Sequence, residues 1–226
     1  MSEYKSIKGK TVQFLGTDPS ETSTEGQIWY NSTAAAFKSV VALEAWSSGA
    51  PTNGARRTPT GTGIQTAALI IGGGGGNGPS TEEYNGSGWS FGGTLGTGRY
   101  AGGAAGTQIA GLFFGGSTPG NTEQSVTEEY DGSTWTAGGA LNQARQRLGG
   151  TGTQTAGLAF TGIEYVPATN TFTNTEEYDG TTWTTGGAVN TARSDLGSAG
   201  TQTAGLAFGG SPPITNATEE YDGSTW

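Results

Sequence analysis

The sequence has no cysteine and no histidine, and its 226 residues include a single methionine. Without the first two there is no Ser-His-Asp or Cys-His nucleophile. Nor is there a zinc site of the usual ligands or a thiolate-bound iron, and no cofactor is expected. Disulfides are impossible, so cysteine usage says nothing about compartment. Lysine is scarce and confined to Lys5, Lys8, Lys10 and Lys38. Ten basic side chains face nineteen acidic ones, a formal charge of −9. From Ser47 onward six arginines stand against fourteen carboxylates, a surface that repels phosphate backbones and argues against a nucleic-acid partner. Long apolar runs are missing as well. The longest, from Ala67 to Ile71, falls far short of the roughly 20 residues of a membrane helix. The opening MSEYKSIKGKTVQFLG lacks the apolar stretch of a secretory signal. The expectation is a soluble chain with no membrane insertion and no conventional export signal.

Glycine is what the chain has in excess, 43 residues beside 8 prolines. That level borders on low complexity, but an aromatic content of 10% argues for a folded chain. Hydrophobic residues make up only 32%, so any core must be thin and assembled from many short contacts.

Four internal copies organise the chain. Thr-Glu-Glu-Tyr recurs at Thr81, Thr127, Thr175 and Thr218, bringing Tyr84, Tyr130, Tyr178 and Tyr221 into register. Each block runs through NGSGW, DGSTW, DGTTW or DGSTW to Trp89, Trp135, Trp183 or Trp226. Upstream lie TAALIIGG, IAGLFFGG, TAGLAFTG and TAGLAFGG, and further upstream Arg56, Arg99, Arg145 and Arg193. Trp46 holds the same place ahead of the first unit, giving tryptophan spacings of 43, 46, 48 and 43. Trp to Arg is always 10 residues, Arg to the glycine position 16, and Thr to Trp 8. Only the stretch from the glycine position to Thr varies, at 9, 12, 14 and 9. Surface loops tolerate such changes at small entropic cost, whereas paired strands do not.

Asp-Gly or Asn-Gly between β-formers is a hairpin signal, and the TAGLAFGG runs read as buried strands. In the third unit the strands are expected near 145–152, 155–160, 174–178 and 182–186, with no helical periodicity anywhere. Four short strands per repeat of this length make a β-propeller blade. The expected fold is therefore all-β, with propeller units near 47–89, 90–135, 136–183 and 184–226 behind a small β-hairpin module at 1–45.

The order Arg, strand, strand ending in Gly-Gly, variable loop, Glu-x-Tyr, tight turn and Trp resembles the kelch motif over residues 47–226, with a shorter Tyr-to-Trp spacing than is usual there. The resemblance implies a kelch-like propeller and leaves function open, since such propellers serve as enzymes, adaptors and lectin-like modules. The segment from Glu25 to Thr33, with Phe37-Lys38, looks like a short hairpin module of bacteriophage tail-fibre and other virion structural proteins. Units with GTQTAGLAFGG and TEEYDGSTW are similar to repeats in structural proteins of marine and cyanobacterial phages. On that resemblance Trp29, Tyr30 and Phe37 are candidate attachment residues, and the chain is expected to be homo-oligomeric.

Two ring closures compete. Strand Trp46–Ser48 would complete the last unit of a four-bladed ring, or the chain is truncated and further blades follow Trp226; the second is favoured here, because the chain stops inside a motif.

The repeated features have plain structural readings. Adjacent glutamates in a strand point to opposite faces, so no Glu-Glu pair flanks one glycosidic bond. The repeated Tyr and Trp suit packing between blades, and the four arginines suit pairing with neighbouring carboxylates or strand carbonyls. The glycines at 72–76 lack the Lys-Ser/Thr and helix of a phosphate loop. Copper-radical kelch oxidases need the absent Cys and His, and the Asp-box of sialidase-like propellers is not matched by Asp131-Gly132-Ser133-Thr134-Trp135. An enzyme is not expected. What differs among units is the loops at 74–80, 117–126, 163–174 and 211–217, which in a propeller emerge on one face. They supply the candidate recognition residues Asn77, Asn121, Glu123, Glu164, Tyr165, Asn170 and Asn216. The expected function is a phage virion structural protein on the tail or capsid surface, meeting other virion proteins and a host-surface glycan or receptor. The alternative is a bacterial kelch-type protein- or carbohydrate-binding module with no virion role.

Overall fold

The computed structural model describes residues 13–15, 28–39, 48–75, 78–165 and 167–226, and among these every regular element is a strand. The chain divides into two units, Met1–Ser48 and Gly49–Trp226. In the first, Gln13–Leu15 runs parallel to Ile28–Asn31, which turns back antiparallel onto Ala36–Ser39. Register puts Trp29 opposite Lys38 and Tyr30 opposite Phe37. Asn31 shapes the turn: its side-chain carbonyl accepts the Ala34 N–H at 2.8 Å, and Ala35 takes a left-handed φ of 51°.

The second unit holds four antiparallel blades arranged as a four-bladed β-propeller. The first blade is Thr60–Ile64, Ala67–Ile71, Thr81–Tyr84 and Trp89–Phe91. The second is Gly103–Thr107, Ala110–Phe114, Thr127–Tyr130 and Trp135–Ala137. The third is Gly149–Gly152, Gly157–Phe160, Thr175–Tyr178 and Trp183–Thr185. The fourth has three strands, Gly197–Thr201, Ala204–Phe208 and Thr218–Tyr221. No strand pairs with the outer edge of Thr218–Tyr221 among the described residues. Ser48 belongs to no strand, and Trp46 and Ser47, the rest of the strand that the four-bladed closure calls for, lie outside the described residues.

Two local details differ from the sequence expectation. The variable connections of the second and third blades are small hairpins in their own right, Ser117–Thr118 with Thr122–Glu123 and Ile163–Glu164 with Asn170–Thr171. The Asp-Gly turns are also wider than the two-residue form such a pair favours. Tyr130 pairs with Trp135, leaving 131–134 as the loop. There Asp131 Oδ1 accepts the N–H groups of Ser133 at 2.8 Å and Thr134 at 2.7 Å, while Gly132 supplies a φ of 91°. The same backbone N–H bonds draw the Asp179 and Asp222 carboxyls down to about 2.

The apolar core lies between blades. Leu69 and Ile71 of the first pack with Phe113 and Tyr130 of the second. Leu112 and Phe114 meet Tyr178 and Trp183 of the third, and Leu158 and Phe160 meet Ala207 and Tyr221 of the fourth. Small residues on the innermost strands allow this closeness. A Cβ on Gly150 would stand 2.8 Å from the backbone of Ala104 in the neighbouring blade.

Within each blade the thin apolar content is supplemented by a buried ion pair. Arg56, Arg99, Arg145 and Arg193 pair with Glu82, Glu128, Glu176 and Glu219, the first glutamate of each Thr-Glu-Glu-Tyr. The guanidinium also reaches backbone carbonyls: Arg99 Nε donates to Gly115 O at 2.9 Å, and Arg56 Nη1 to Gly72 O at 3.0 Å. The carboxylate is held from its other side. Asn142 gives both its backbone N–H, at 2.6 Å, and its side-chain amide, at 2.8 Å, to Glu176. Asn53 and Asn190 do the same for Glu82 and Glu219, and Gly96 N–H serves Glu128. In the third blade Arg145 Nη1 and Glu176 Oε1 are 2.8 Å apart, but at an angle too skewed for a hydrogen bond. Removing one member of a buried pair strands the other charge. Arg145→Met is therefore expected to destabilise the propeller by about 3–5 kcal/mol in urea denaturation, and the Arg145→Met/Glu176→Met double variant by less than Arg145→Met alone.

Candidate functional site

One end of the propeller gathers the connections whose length varies among the repeats. In each blade the end of the second strand, the start of the third and the start of the innermost strand lie together, because Ile71 pairs with both Thr60 and Thr81, and Phe114 with both Gly103 and Thr127. The variable connections leave from that end. At its centre is a funnel of about 360 Å³ to which all four blades contribute, including Thr58 and Thr60, Ala101, Arg147, and Asp195 with Ser198.

The funnel rim is a chain of backbone hydrogen bonds. Ala101 N–H donates to Thr58 O at 3.0 Å, Arg147 N–H to Ala101 O at 2.6 Å, and Asp195 N–H to Arg147 O at 3.1 Å. These four residues all take left-handed φ values of 47 to 55°, a conformation that costs free energy outside glycine and persists where the surroundings impose it. It turns each chain from the outer arginine segment into its innermost strand. The rim carries one charge pair, Arg147 with Asp195 at 3.1 Å. Both side chains are solvent-exposed, so the pair adds little stability and leaves a guanidinium available at the funnel.

Loop residues of the second and third blades converge beside Arg147. Glu123 accepts hydrogen bonds from Gln146 Nε2 at 2.8 Å and from the Tyr165 backbone N–H at 3.1 Å. The Arg147 guanidinium lies 5.7 Å from the Tyr165 ring centroid, within cation–π range. Asn121 accepts the Tyr100 hydroxyl at 2.9 Å. Of the residues singled out from sequence, Glu123 and Tyr165 are thus brought together and Asn121 is anchored through Tyr100. Glu164 and Asn170 pair with each other across the small hairpin, Asn170 exposed. Asn216 is exposed on the fourth blade's loop, beside Ile214 at 91% exposure. Asn77 lies outside the described residues. Gln146, Arg147, Tyr100 and Asp195 were not singled out from sequence. Their signal was available: each sits one or two residues after a repeat arginine, where the four units differ from one another.

The repeat Tyr and Trp join blades side by side. The Tyr130, Tyr178 and Tyr221 hydroxyls donate to Glu83, Glu129 and Glu177, the second glutamate of the preceding blade, the last two at 2.5 Å. Trp135, Trp183 and Trp226 donate their indole N–H to Thr81, Thr127 and Thr175 at 3.0, 2.9 and 2.8 Å. One further joint residue escaped the sequence reading. Gln108, Gln154 and Gln202 each give their side-chain amide to two carbonyls of the preceding blade, Gln154 to Gly111 O and Tyr130 O at 3.2 and 2.7 Å. Tyr84 and Trp89 of the first blade touch each other, with ring centroids 5.0 Å apart.

Among the described residues no group of three or more Asp or Glu is placed to hold a metal ion, and no helix is long and apolar enough to cross a membrane. Comparison with models of known protein families and with curated proteins found no match. The loop face carries hydroxyls, backbone carbonyls, the guanidinium of Arg147, the carboxylates of Glu123 and Asp195 and the rings of Tyr100 and Tyr165.

The joints also set an alkaline limit. Burial first, and the neighbouring glutamate second, push the Tyr130, Tyr178 and Tyr221 hydroxyls up to about 12. A raised folded value means that their contribution is complete below the unfolded value of about 10 and is lost as pH rises through about 12. Denaturation midpoints are expected to hold up to about pH 10 and fall between about 10 and 12, with these tyrosines showing phenolate absorbance only as the blades separate. Ordinary ionisation near pH 10 in a fully folded protein would contradict this.

Proposed function

We propose that the chain is a non-enzymatic virion structural protein of a bacteriophage, whose kelch-like propeller presents its loop face to a neighbouring virion protein or a host-surface glycan. The observation that carries this is the segregation of constancy and variation. Arginine and glutamate repeat inside the blades and glutamate, tyrosine, tryptophan and glutamine in the joints between them, whereas the connections of changing length and composition surround one funnel. Variation on one face of a rigid scaffold suits recognition. The likeness of Glu25–Thr33 and of the TEEYDGSTW units to phage structural proteins supplies the virion setting, with the Ile28–Asn31/Ala36–Ser39 hairpin as the attachment element. Weak single contacts to a sugar are then multiplied by many copies on one particle.

The test has two arms. Antibodies raised against the propeller should decorate intact phage particles in immunogold microscopy, and the purified chain should bind a defined subset of a glycan array or a virion protein on a blot. Tyr165→Ala and Asn216→Ala should reduce that binding at least tenfold while changing stability by less than about 1 kcal/mol. Undecorated particles remove the virion role. Binding that both variants leave unchanged removes the loop face as the recognition surface.

A further inference from the structure

Asparagine precedes glycine at Asn53-Gly54, Asn77-Gly78 and Asn85-Gly86, all within the first unit. Such a pair is prone to close on itself, because glycine leaves its backbone nitrogen unshielded and its own backbone free to turn. Asn77 lies outside the described residues. The other two stand in contrasting surroundings.

Asn85 occupies the place that Asp131, Asp179 and Asp222 hold in the later units. It opens the turn from Tyr84 to Trp89. That turn lies at the end of the propeller away from the variable connections, since Tyr84 pairs with Ala68 whereas Thr81 pairs with Ile71. Asn85, Gly86 and Ser87 are all exposed. Asn85 Oδ1 accepts the Ser87 N–H at 3.0 Å, the Ser87 hydroxyl at 2.9 Å and the Gly88 N–H at 2.9 Å. By reaching forward to those residues, the side chain carries Cγ over the intervening Gly86 peptide. Among the described residues neither the Gly86 N–H nor Asn85 Nδ2 makes a hydrogen bond. Nucleophile and leaving group are therefore both free, and the carbonyl oxygen is polarised by three donors, as an oxyanion site requires.

Asn53 differs in each respect. Its Nδ2 donates to Glu82 Oε2 and to Trp89 O, both at 3.0 Å, and its backbone N–H donates to the same carboxylate at 2.7 Å. Closing that side chain onto Gly54 would break both amide bonds and take a partner from the buried Glu82.

We propose that Asn85 is a site of spontaneous deamidation, at which the folded chain modifies itself with water as the only co-reactant. Gly86 N bonds to Asn85 Cγ, the Cγ–Nδ2 bond breaks, and the amide nitrogen leaves as ammonia with the proton that Gly86 gives up. Water then opens the succinimide. Cleavage of its bond from Gly86 N to Cγ leaves aspartate, and cleavage of the bond to the backbone carbonyl carbon leaves isoaspartate. Aspartate is the product this turn accommodates, since Asp131 Oδ1 takes the Ser133 and Thr134 N–H groups in the same way at 2.8 and 2.7 Å. Backbone N–H groups, those of Thr134, Thr182 and Thr225 foremost, hold the Asp131, Asp179 and Asp222 carboxyls below the ordinary carboxylate range. A carboxylate so held is a poor electrophile, and the reaction stops there. The conversion adds one negative charge to the first blade and gives all four the same turn. It does not depend on the virion reading.

The test holds the folded 226-residue chain in mildly alkaline buffer and follows its tryptic peptides by tandem mass spectrometry. Arg56 and Arg57 lie between the two sites, so trypsin separates them, and fragment ions distinguish Asn85 from Asn77. In the folded chain Asn85 should convert about tenfold or more faster than Asn53, the factor that two hydrogen bonds supply. In the urea-unfolded chain the two rates should converge. Converted protein should elute from an anion exchanger with the Asn85→Asp variant. Equal rates at the two sites in the folded chain, or an Asn85 that converts only after unfolding, would overturn the proposal.

Discussion

Two neighbouring glutamates on one strand must point to opposite faces of the sheet, and the propeller depends on what each of them meets. The first, at Glu82, Glu128, Glu176 and Glu219, turns inside its own blade to the arginine. The second, at Glu83, Glu129 and Glu177, turns outward to the tyrosine hydroxyl of the following blade. The threonine before them takes that blade's indole N–H. One four-residue strand thereby holds its blade together and fixes the next. The arrangement answers a shortage: with hydrophobic residues at 32%, apolar burial alone leaves little to position one sheet on another.

That solution carries a cost in desolvation. A buried guanidinium–carboxylate pair recovers the cost of leaving water only when the remaining donors and acceptors are also engaged. The backbone carbonyls around Arg99 and the asparagine amides around Glu82 and Glu219 supply much of this, whereas Arg145 Nε and Nη1, Arg193 Nε and Nη2 and Glu176 Oε1 make no hydrogen bond. The same satisfaction confers specificity. A blade slipped by one residue would exchange the faces of the two glutamates, leaving the arginine unpaired and the tyrosine of the next blade without its acceptor. Rigid joints in turn leave the loop face free to vary. Insertions at 117–126 and 163–174 are absorbed as small hairpins without disturbing the strands beneath.

The sequence alone determined much of this. Constant spacings from Trp to Arg to glycine marked the strands, since paired segments do not tolerate length changes, and the changing glycine-to-Thr interval marked the loops. Opposed glutamates followed from strand periodicity. In the third blade the expected strands at 174–178 and 182–186 correspond to Thr175–Tyr178 and Trp183–Thr185. What only the tertiary structure decided is which partner each repeated residue meets, because a repeat states that a residue recurs without stating whether its neighbour lies in the same blade or the next. So the glutamine that spans two carbonyls went unrecognised, as did the left-handed rim of Thr58, Ala101, Arg147 and Asp195. The turn per blade was likewise invisible, since it comes from the packing of side chains across a joint. Phe208 and Gln65 are exposed, whereas Phe114 and Phe160 are buried and Gln108, Gln154 and Gln202 partly covered in the joints between blades.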